Sequence, residues 1–260
     1  MTTESLNESS ISIRNISKSF VQGTSKLTVI NDFSCNIGAG EFLSFVGPSG
    51  CGKSTLLTII AGLDLKYEGR LEIGGHSLAK PRISFVFQTP RLLPWRNVKD
   101  NIRFSLEATN IFPREEWDNR ISDVLSIVGL LGYESAYPNQ LSGGMQTRVA
   151  IARAFVTKPN ILLMDEPFSN LDEINARKLR KELLSIWEKK KTTIVFVTHD
   201  INEAVFLADR ILLLTPRPAK LFKEISIDIP RPRSYSNPNL FQYESTLLSA
   251  LEQMLEGFTT

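Results

Sequence analysis

One nine-residue stretch, "GPSGCGKST" at residues 47–55, limits the folds open to this chain more than any other. It fits G-x-x-x-x-G-K-[ST] and lies between the apolar run "EFLSFV" (41–46) and the helical pattern "GKSTLLTIIAGL" (52–63). A glycine-rich turn that leaves a buried strand and opens a helix calls for an α/β unit, with ligands at the C-terminal strand edge. Further apolar runs follow: "RISFVFQ" (82–88), "NILLMDEP" (160–167), "TTIVFVTHD" (192–200) and "RILLLT" (210–215). They lack the polar alternation of half-exposed strands, so they suit a mostly parallel sheet buried on both faces. Helical patterns, "SGGMQTRVAIARAF" (142–155) and "EINARKLRKELLSIWEKKK" (173–191), lie among them. The alternation predicts an open α/β sheet.

Composition narrows the class. A net charge of +2 is too balanced for a nucleic-acid binder or a polybasic membrane anchor. Two cysteines, Cys35 and Cys51, make neither a disulfide framework nor a metal cluster, so a reducing compartment is expected. The polar start "MTTESLNESS" has no signal-peptide core, and runs such as "LLTIIAGL" are far short of the roughly twenty residues that span a bilayer. A soluble, cytosolic chain is expected. Residues 89–158 read as mostly helical, broken at Pro90, Pro94, Pro113 and Pro138, which predicts a helical subdomain inserted into the α/β core. "IPRPRSYSNPN" (229–239) reads as a proline-broken surface segment, and "LFQYESTLLSALEQMLEGF" (240–258) as an amphipathic helix.

The chemistry of the loop is that of phosphate binding. Gly47, Gly50 and Gly52 let the backbone of Gly47, Pro48, Ser49, Gly50, Cys51 and Gly52 wrap a polyphosphate, while amides and the helix N-terminus supply positive potential. Lys53 adds a point charge at the β- and γ-phosphates, the Ser54 hydroxyl can ligate Mg²⁺, and Thr55 closes the motif. Cys51 reads as a small residue, not a redox group. Such a loop needs an acidic partner at the end of a buried strand, and "ILLMDEP" supplies Asp165 and Glu166. Adjacent carboxylates at a strand end are costly unless something positive sits there. Asp165 suits Mg²⁺ and its waters, leaving Glu166 as general base for an attacking water. Together these residues predict a P-loop ATPase.

The order of "GPSGCGKST", "FVFQ", "LSGGM", "LLMDEPFSNLD" and "FVTHD" resembles the ATP-binding subunits of ABC transporters, from about residue 11 to 230. "LSGGM" ahead of an acid-terminated strand sets the chain apart from P-loop kinases and small GTPases, which lack it. The resemblance implies a cassette over 11–230 with a core of about 11–88 and 159–230, a helical signature subdomain of about 89–158, a small antiparallel β element near the N-terminus, and a C-terminal extension, 231–260.

It also implies roles. Two cassettes would pair head to tail, so that Ser142, Gly143 and Gly144 cap the γ-phosphate of the partner's ATP, lacking a lysine because the facing chain brings Lys53. A plain helix N-cap explains Ser142 equally well, and the two readings are compatible. Gln88 matches the glutamine that reaches Mg²⁺ and the attacking water, so Ser54, Gln88 and Asp165 form the Mg²⁺ set. His199 matches the histidine that contacts the γ-phosphate, and Asp172 the D-loop along the dimer interface. Phe20 stands where the family stacks adenine, with a core phenylalanine as the competing reading. His76 reads as an ordinary turn residue. Relatives most often continue "LSGGMRQRVAIARA", whereas this chain has Gln146 and Thr147 before Arg148, which puts the hydrogen bonds around that loop in question.

"TPRLLPWRNVKDNI", "ADRILLLTPRPAKL" and "IPRPRS" are similar to the ATPases of nitrate, sulfonate, taurine and bicarbonate importers. That implies an ATPase subunit on the cytoplasmic face of the inner membrane, paired with a second copy and with integral permeases. It implies a periplasmic or lipid-anchored solute-binding protein as an indirect partner. Leu92, Leu93 and Trp95 would meet the permease, unless Trp95 packs within the helical subdomain. Another small solute, or a non-transport ATPase of the same family, is the alternative. DNA-repair relatives insert a long coiled coil between the two glycine loops, and only about ninety residues separate them here.

Overall fold

The computed structural model describes residues 10–23, 25–74 and 81–259, so His76 lies outside the described residues. The chain divides into two compact units, Met1–Pro81 with Thr193–Thr260, and Arg82–Thr192. In chain order the first holds β1 (Ile11–Gln22), β2 (Ser25–Ile37), β3 (Phe42–Val46), α1 (Lys53–Ile60) and β4 (Glu68–Ile73). The second holds β5 (Ile83–Val86), α2 (Val98–Thr109), α3 (Trp117–Ile127), α4 (Gly143–Phe155), β6 (Ile161–Asp165) and α5 (Glu173–Lys190). The chain then returns to the first unit for β7 (Thr193–Thr198), α6 (Ile201–Leu207), β8 (Arg210–Leu214), β9 (Leu221–Ser226) and α7 (Pro238–Thr259).

In the first unit the strands run β7-β3-β8-β9, parallel except for β9. All five residues of β3 and all six of β7 are buried, as continuous apolar runs require. Each large apolar side chain taken fully out of water there contributes roughly 1.5–3 kcal/mol. Val46 stands level with Thr198 on one side and with Leu213 on the other. The three strands therefore end together, and the phosphate loop, His199 and Thr215–Arg217 leave one edge. A separate antiparallel sheet of order β2-β1-β4 forms the small N-terminal element.

The segment read as a proline-broken surface stretch is partly interior. Arg233 is only 5% exposed and donates to the carbonyls of Val205 (2.8 Å), Phe206 (3.2 Å), Ala208 (2.7 Å), Ile227 (3.3 Å) and Ile229 (3.0 Å). The last turn of α6 leaves carbonyls without helical partners, and an arginine fork satisfies several at once. Arg231 donates to the Leu207 carbonyl and to Asp209, and Tyr235 stacks on Phe206 with centroids 4.0 Å apart. α7 then buries Leu240, Leu247, Ala250 and Met254, the apolar face of the expected amphipathic helix.

In the second unit β5 and β6 are parallel, with Val86 level with Met164. α4 packs against α2, α3 and β5, burying Val149, Ile151, Ala152 and Phe155. Arg148 on α4 donates to the Val128 carbonyl at 2.6 Å and to the Glu182 carboxylate, tying α4 to the end of α3 and to α5.

Candidate functional site

The loop after β3 is shaped around its lysine. Lys53 is 4% exposed, and its Nζ donates to the carbonyls of Gly47 (2.8 Å) and Pro48 (2.9 Å). A buried ammonium so held stands inside the curl of the loop, where an anion would meet it. Gly47 is required by close approach, because a Cβ there would come within 2.8 Å of the Leu214 carbonyl oxygen. Gly52, at φ +130°, adopts a backbone that side-chain-bearing residues avoid. Ser49, Gly50 and Ser54 are exposed, Pro48 and Thr55 half-buried. Cys51 is buried, and burial pushes its thiol up despite the pull of nearby Lys53, which fits a small inert residue.

His199 leaves the end of β7 and is exposed. Its neighbours are bolted down. The Thr198 hydroxyl donates to Glu203 (2.7 Å) and accepts from the Asp200 amide (3.0 Å), while Asp200 caps α6 by accepting from the Asn202 amide (2.8 Å). Phe20, on β1, is 41% exposed, so it is not a core phenylalanine. The Lys18 ammonium stands 4.7 Å from its ring centroid and bonds Asp64 (2.8 Å).

The second unit brings Gln88 and Glu166 together. The parallel register of β5 with β6 sends both from the same edge, and Gln88 Nε2 donates to Glu166 Oε2 and to Ser169 Oγ, each at 3.3 Å. Asp165 closes β6, and both acids are half-buried. Glu166 has φ +43°, a left-handed conformation unusual for a side-chain-bearing residue. The turn that holds it is closed by Ser169, whose amide (3.3 Å) and hydroxyl (3.0 Å) both donate to the Glu166 carbonyl.

Ser142 is the N-cap of α4, its Oγ accepting from the Met145 amide at 3.3 Å, and it is exposed together with Gly143. Nothing lies within 4 Å of a Cβ built on Gly143, and only Leu171, at 3.5 Å, near one on Gly144. Gln146 Nε2 donates to the carbonyls of Pro138 (2.9 Å) and Leu141 (3.3 Å), and the Thr147 hydroxyl to that of Gly143 (3.2 Å). The atypical Gln146–Thr147 step thus ties the glycine loop to the turn before it. Asp172 caps α5, accepting from the Asn175 amide (3.1 Å) and side chain (2.7 Å); the Asn175 bonds hold its carboxyl below the usual range.

Trp95 is 71% exposed, so it does not pack within its unit, while Leu92 and Leu93 are half-buried. Two residues that the sequence reading passed over hold this loop. Fully buried Asn101 donates to the carbonyls of Leu93 (3.1 Å), Arg96 (2.8 Å) and Asn97 (3.0 Å), and Arg153 donates to those of Pro90 (2.8 Å) and Arg91 (2.9 Å). Asn101 stands in "TPRLLPWRNVKDNI" and Arg153 in "SGGMQTRVAIARAF", but neither pattern announces the carbonyls they hold, so only the folded loop reveals the role.

The ABC transporter family model matches residues 30–169, more than half of the chain. The chain belongs to this family. The matched span includes the phosphate loop, Gln88, the signature loop and Asp165–Glu166, while Phe20, Asp172 and His199 lie outside it. This ABC ATPase is 45% identical over 238 residues to the aliphatic sulfonates import ATP-binding protein SsuB of Bacillus subtilis, covering 91% of this chain and 92% of that one. It is 46% identical over 231 residues to the SsuB protein of Bacillus licheniformis, covering 88% and 89%. Among solved structures, the dimeric post-hydrolysis state of the ATP-binding cassette MJ0796, bound to ADP and Pi, is similar at a TM-score of 0.74 and 33% identity. That match covers 85% of this chain and 100% of that one. The chain is accordingly an ATP-binding, ATP-hydrolysing transporter subunit of α/β fold. Among the described residues no helix is long and apolar enough to cross a membrane.

Proposed function

We propose that the chain powers an importer of aliphatic sulfonates, working as a head-to-tail dimer on the cytoplasmic face of the inner membrane. One observation carries the choice of solute: identity of 42–46% to sulfonate import ATP-binding proteins over 88–94% of the chain. Selectivity itself lies in the permeases and in a periplasmic or lipid-anchored binding protein. Exposed Trp95, with Leu92 and Leu93, meets the permease, a role supported by the pinned loop that presents an uncovered aromatic ring.

Within the site, Lys53 and the amides of residues 47–55 bind the β- and γ-phosphates, and Phe20 stacks on adenine. Ser54, Gln88 and Asp165 would hold Mg²⁺. The donors fit, being hard oxygens only, and both hydrogen bonds of the Gln88 amide use its nitrogen, leaving its carbonyl oxygen for a cation. No group of three or more His, Cys, Asp or Glu among the described residues could hold a metal unaided. This suits an ion that draws most of its ligands from phosphates and water. Bound Mg²⁺ supplies neutralisation of phosphate charge.

Glu166 accepts the proton of the attacking water, held in orientation by the Gln88 amide, and His199 contacts the γ-phosphate. Ser142, Gly143 and Gly144 cap the nucleotide of the partner copy, which the open space around Gly143 permits; Asp172 lines the same interface. ATP binding favours the closed dimer, closure moves the permeases, and hydrolysis reopens it, all by differential affinity for the two states.

The test is reconstitution of the chain with its permease and binding protein in proteoliposomes. ATP hydrolysis and uptake should rise with an alkanesulfonate and not with nitrate or bicarbonate. Stimulation by nitrate or bicarbonate alone would overturn the choice of solute.

A further inference from the structure

Arg217, within "ADRILLLTPRPAKL", carries none of the nucleotide-binding roles assigned above and lies outside the matched family span, 30–169. It follows β8, whose end stands level with the end of β3, so the loop after β8 emerges beside the phosphate loop. Arg217 Nη2 (2.7 Å) and Nε (3.2 Å) both donate to one acceptor, the Gly50 carbonyl.

The base of this arginine is rigid. The Thr215 amide donates to the Lys220 carbonyl (3.0 Å), the Thr215 hydroxyl to that of Pro218 (3.1 Å), and the Lys220 amide to the Thr215 hydroxyl (2.9 Å). The turn is tied in addition to β2, through Ala219 N–H to the Val29 carbonyl (2.8 Å) and Asn31 N–H to the Ala219 carbonyl (3.1 Å). A solvent-exposed arginine commonly contributes little. Here, however, a fixed turn aims two donors at a single backbone oxygen.

A trans peptide is planar, so the Gly50 carbonyl and the Cys51 N–H point in opposite directions. Fixing the carbonyl fixes the amide. The Cys51 N–H faces the inside of the turn, where it makes a long bond of 3.3 Å to the Pro48 carbonyl. That amide is thus held ready for a stronger acceptor, and a guanidinium on the carbonyl polarises the peptide so that the N–H donates better. Gly50 itself, at φ +72°, could not carry a Cβ without coming within 3.3 Å of Arg217 Nη2.

We propose that Arg217 is a positioning residue of the phosphate loop, which presets the Gly50–Cys51 peptide so that its N–H receives nucleotide phosphate. The proposal rests on the phosphate-loop reading above. Its test is equilibrium titration of the purified chain with ATP, ADP and AMP in the presence of Mg²⁺, for wild type, R217M, R217K and K53A. R217M should weaken ATP and ADP binding by about fivefold to thirtyfold, as expected for loss of one charge-assisted contact, and leave AMP within about twofold. R217K should recover part of the loss, since lysine restores charge but not the fork. Should R217M melt early without nucleotide, R217Q carries the same comparison. The proposal is overturned if R217M binds ATP and ADP as wild type does, or if it loses AMP as much as ATP. If K53A also binds ATP like wild type, the phosphate-loop reading fails first and takes the proposal with it.

Discussion

Replacing Arg233 with methionine removes the donor that five backbone carbonyls share. Three of the bonds are short, to Val205, Ala208 and Ile229 at 2.7–3.0 Å, and those to Phe206 and Ile227 are longer at 3.2–3.3 Å. Each buried carbonyl left without a partner costs about 1–3 kcal/mol, and loss of a buried charged donor as a whole about 3–5 kcal/mol. Part of this is returned, because methionine needs no desolvation. Burial, and next to it the charge of Arg231, lower the Arg233 guanidinium to a pKa of about 10, a sign that its charged form is held at some cost. The expected net loss is about 3 kcal/mol, which corresponds to a fall of about 6–12 °C in melting temperature for a chain of this size. R233K, with three donors and no planar fork, should lose about half as much. Urea unfolding followed by far-UV circular dichroism measures both. A loss below about 1 kcal/mol for R233M at unchanged m-value would refute the argument that these carbonyls depend on the arginine.

Three further outcomes are expected. E166Q keeps the shape that meets Gln88 but not the base, so hydrolysis in the assembled complex should fall at least about a hundredfold, with an ATP-bound dimer accumulating on gel filtration. Unchanged turnover would remove Glu166 as base. S142R should lower hydrolysis by about a hundredfold or more while ATP binding to the isolated chain stays within about twofold; full activity in the monomer would end the trans-capping model. For Asp172, whose folded pKa is depressed by Asn175, the cap's stabilisation is fully present above the ordinary value of about 3.9 and is lost as pH falls through the lowered one. The difference in melting temperature between wild type and D172N should therefore be flat from pH 6 to 5 and shrink below about pH 4; a difference that persists at pH 2.5 contradicts this.

Much of the α/β core was legible because burial on both faces leaves an unambiguous mark. "EFLSFV", "TTIVFVTHD" and "RILLLT" became β3, β7 and β8 within a few residues at each end. The N-terminal sheet was legible only through family resemblance. Register shifts between Ile13 and Ile16 and between Ile16 and Lys18, with Asn15 at φ +52° and Asp32 at φ +55°, break the alternation that announces a strand. The arginines of "IPRPRS" looked like surface charges, since nothing local announces that the carbonyls of residues 205–208 await a donor.

The same division runs through the site. The sequence by itself determined which chemical groups are present: a lysine in a glycine loop, two acids ending a buried strand, and a serine–glycine cap, because each motif is local and its spacing sets its conformation. It did not determine how those groups are held. The meeting of Gln88 with Glu166 spans 78 residues, and the grip of Arg217 on Gly50 spans 167. Both arise from strands that end level in a parallel sheet. Such register is settled by packing of whole strands, so only the tertiary structure could decide it.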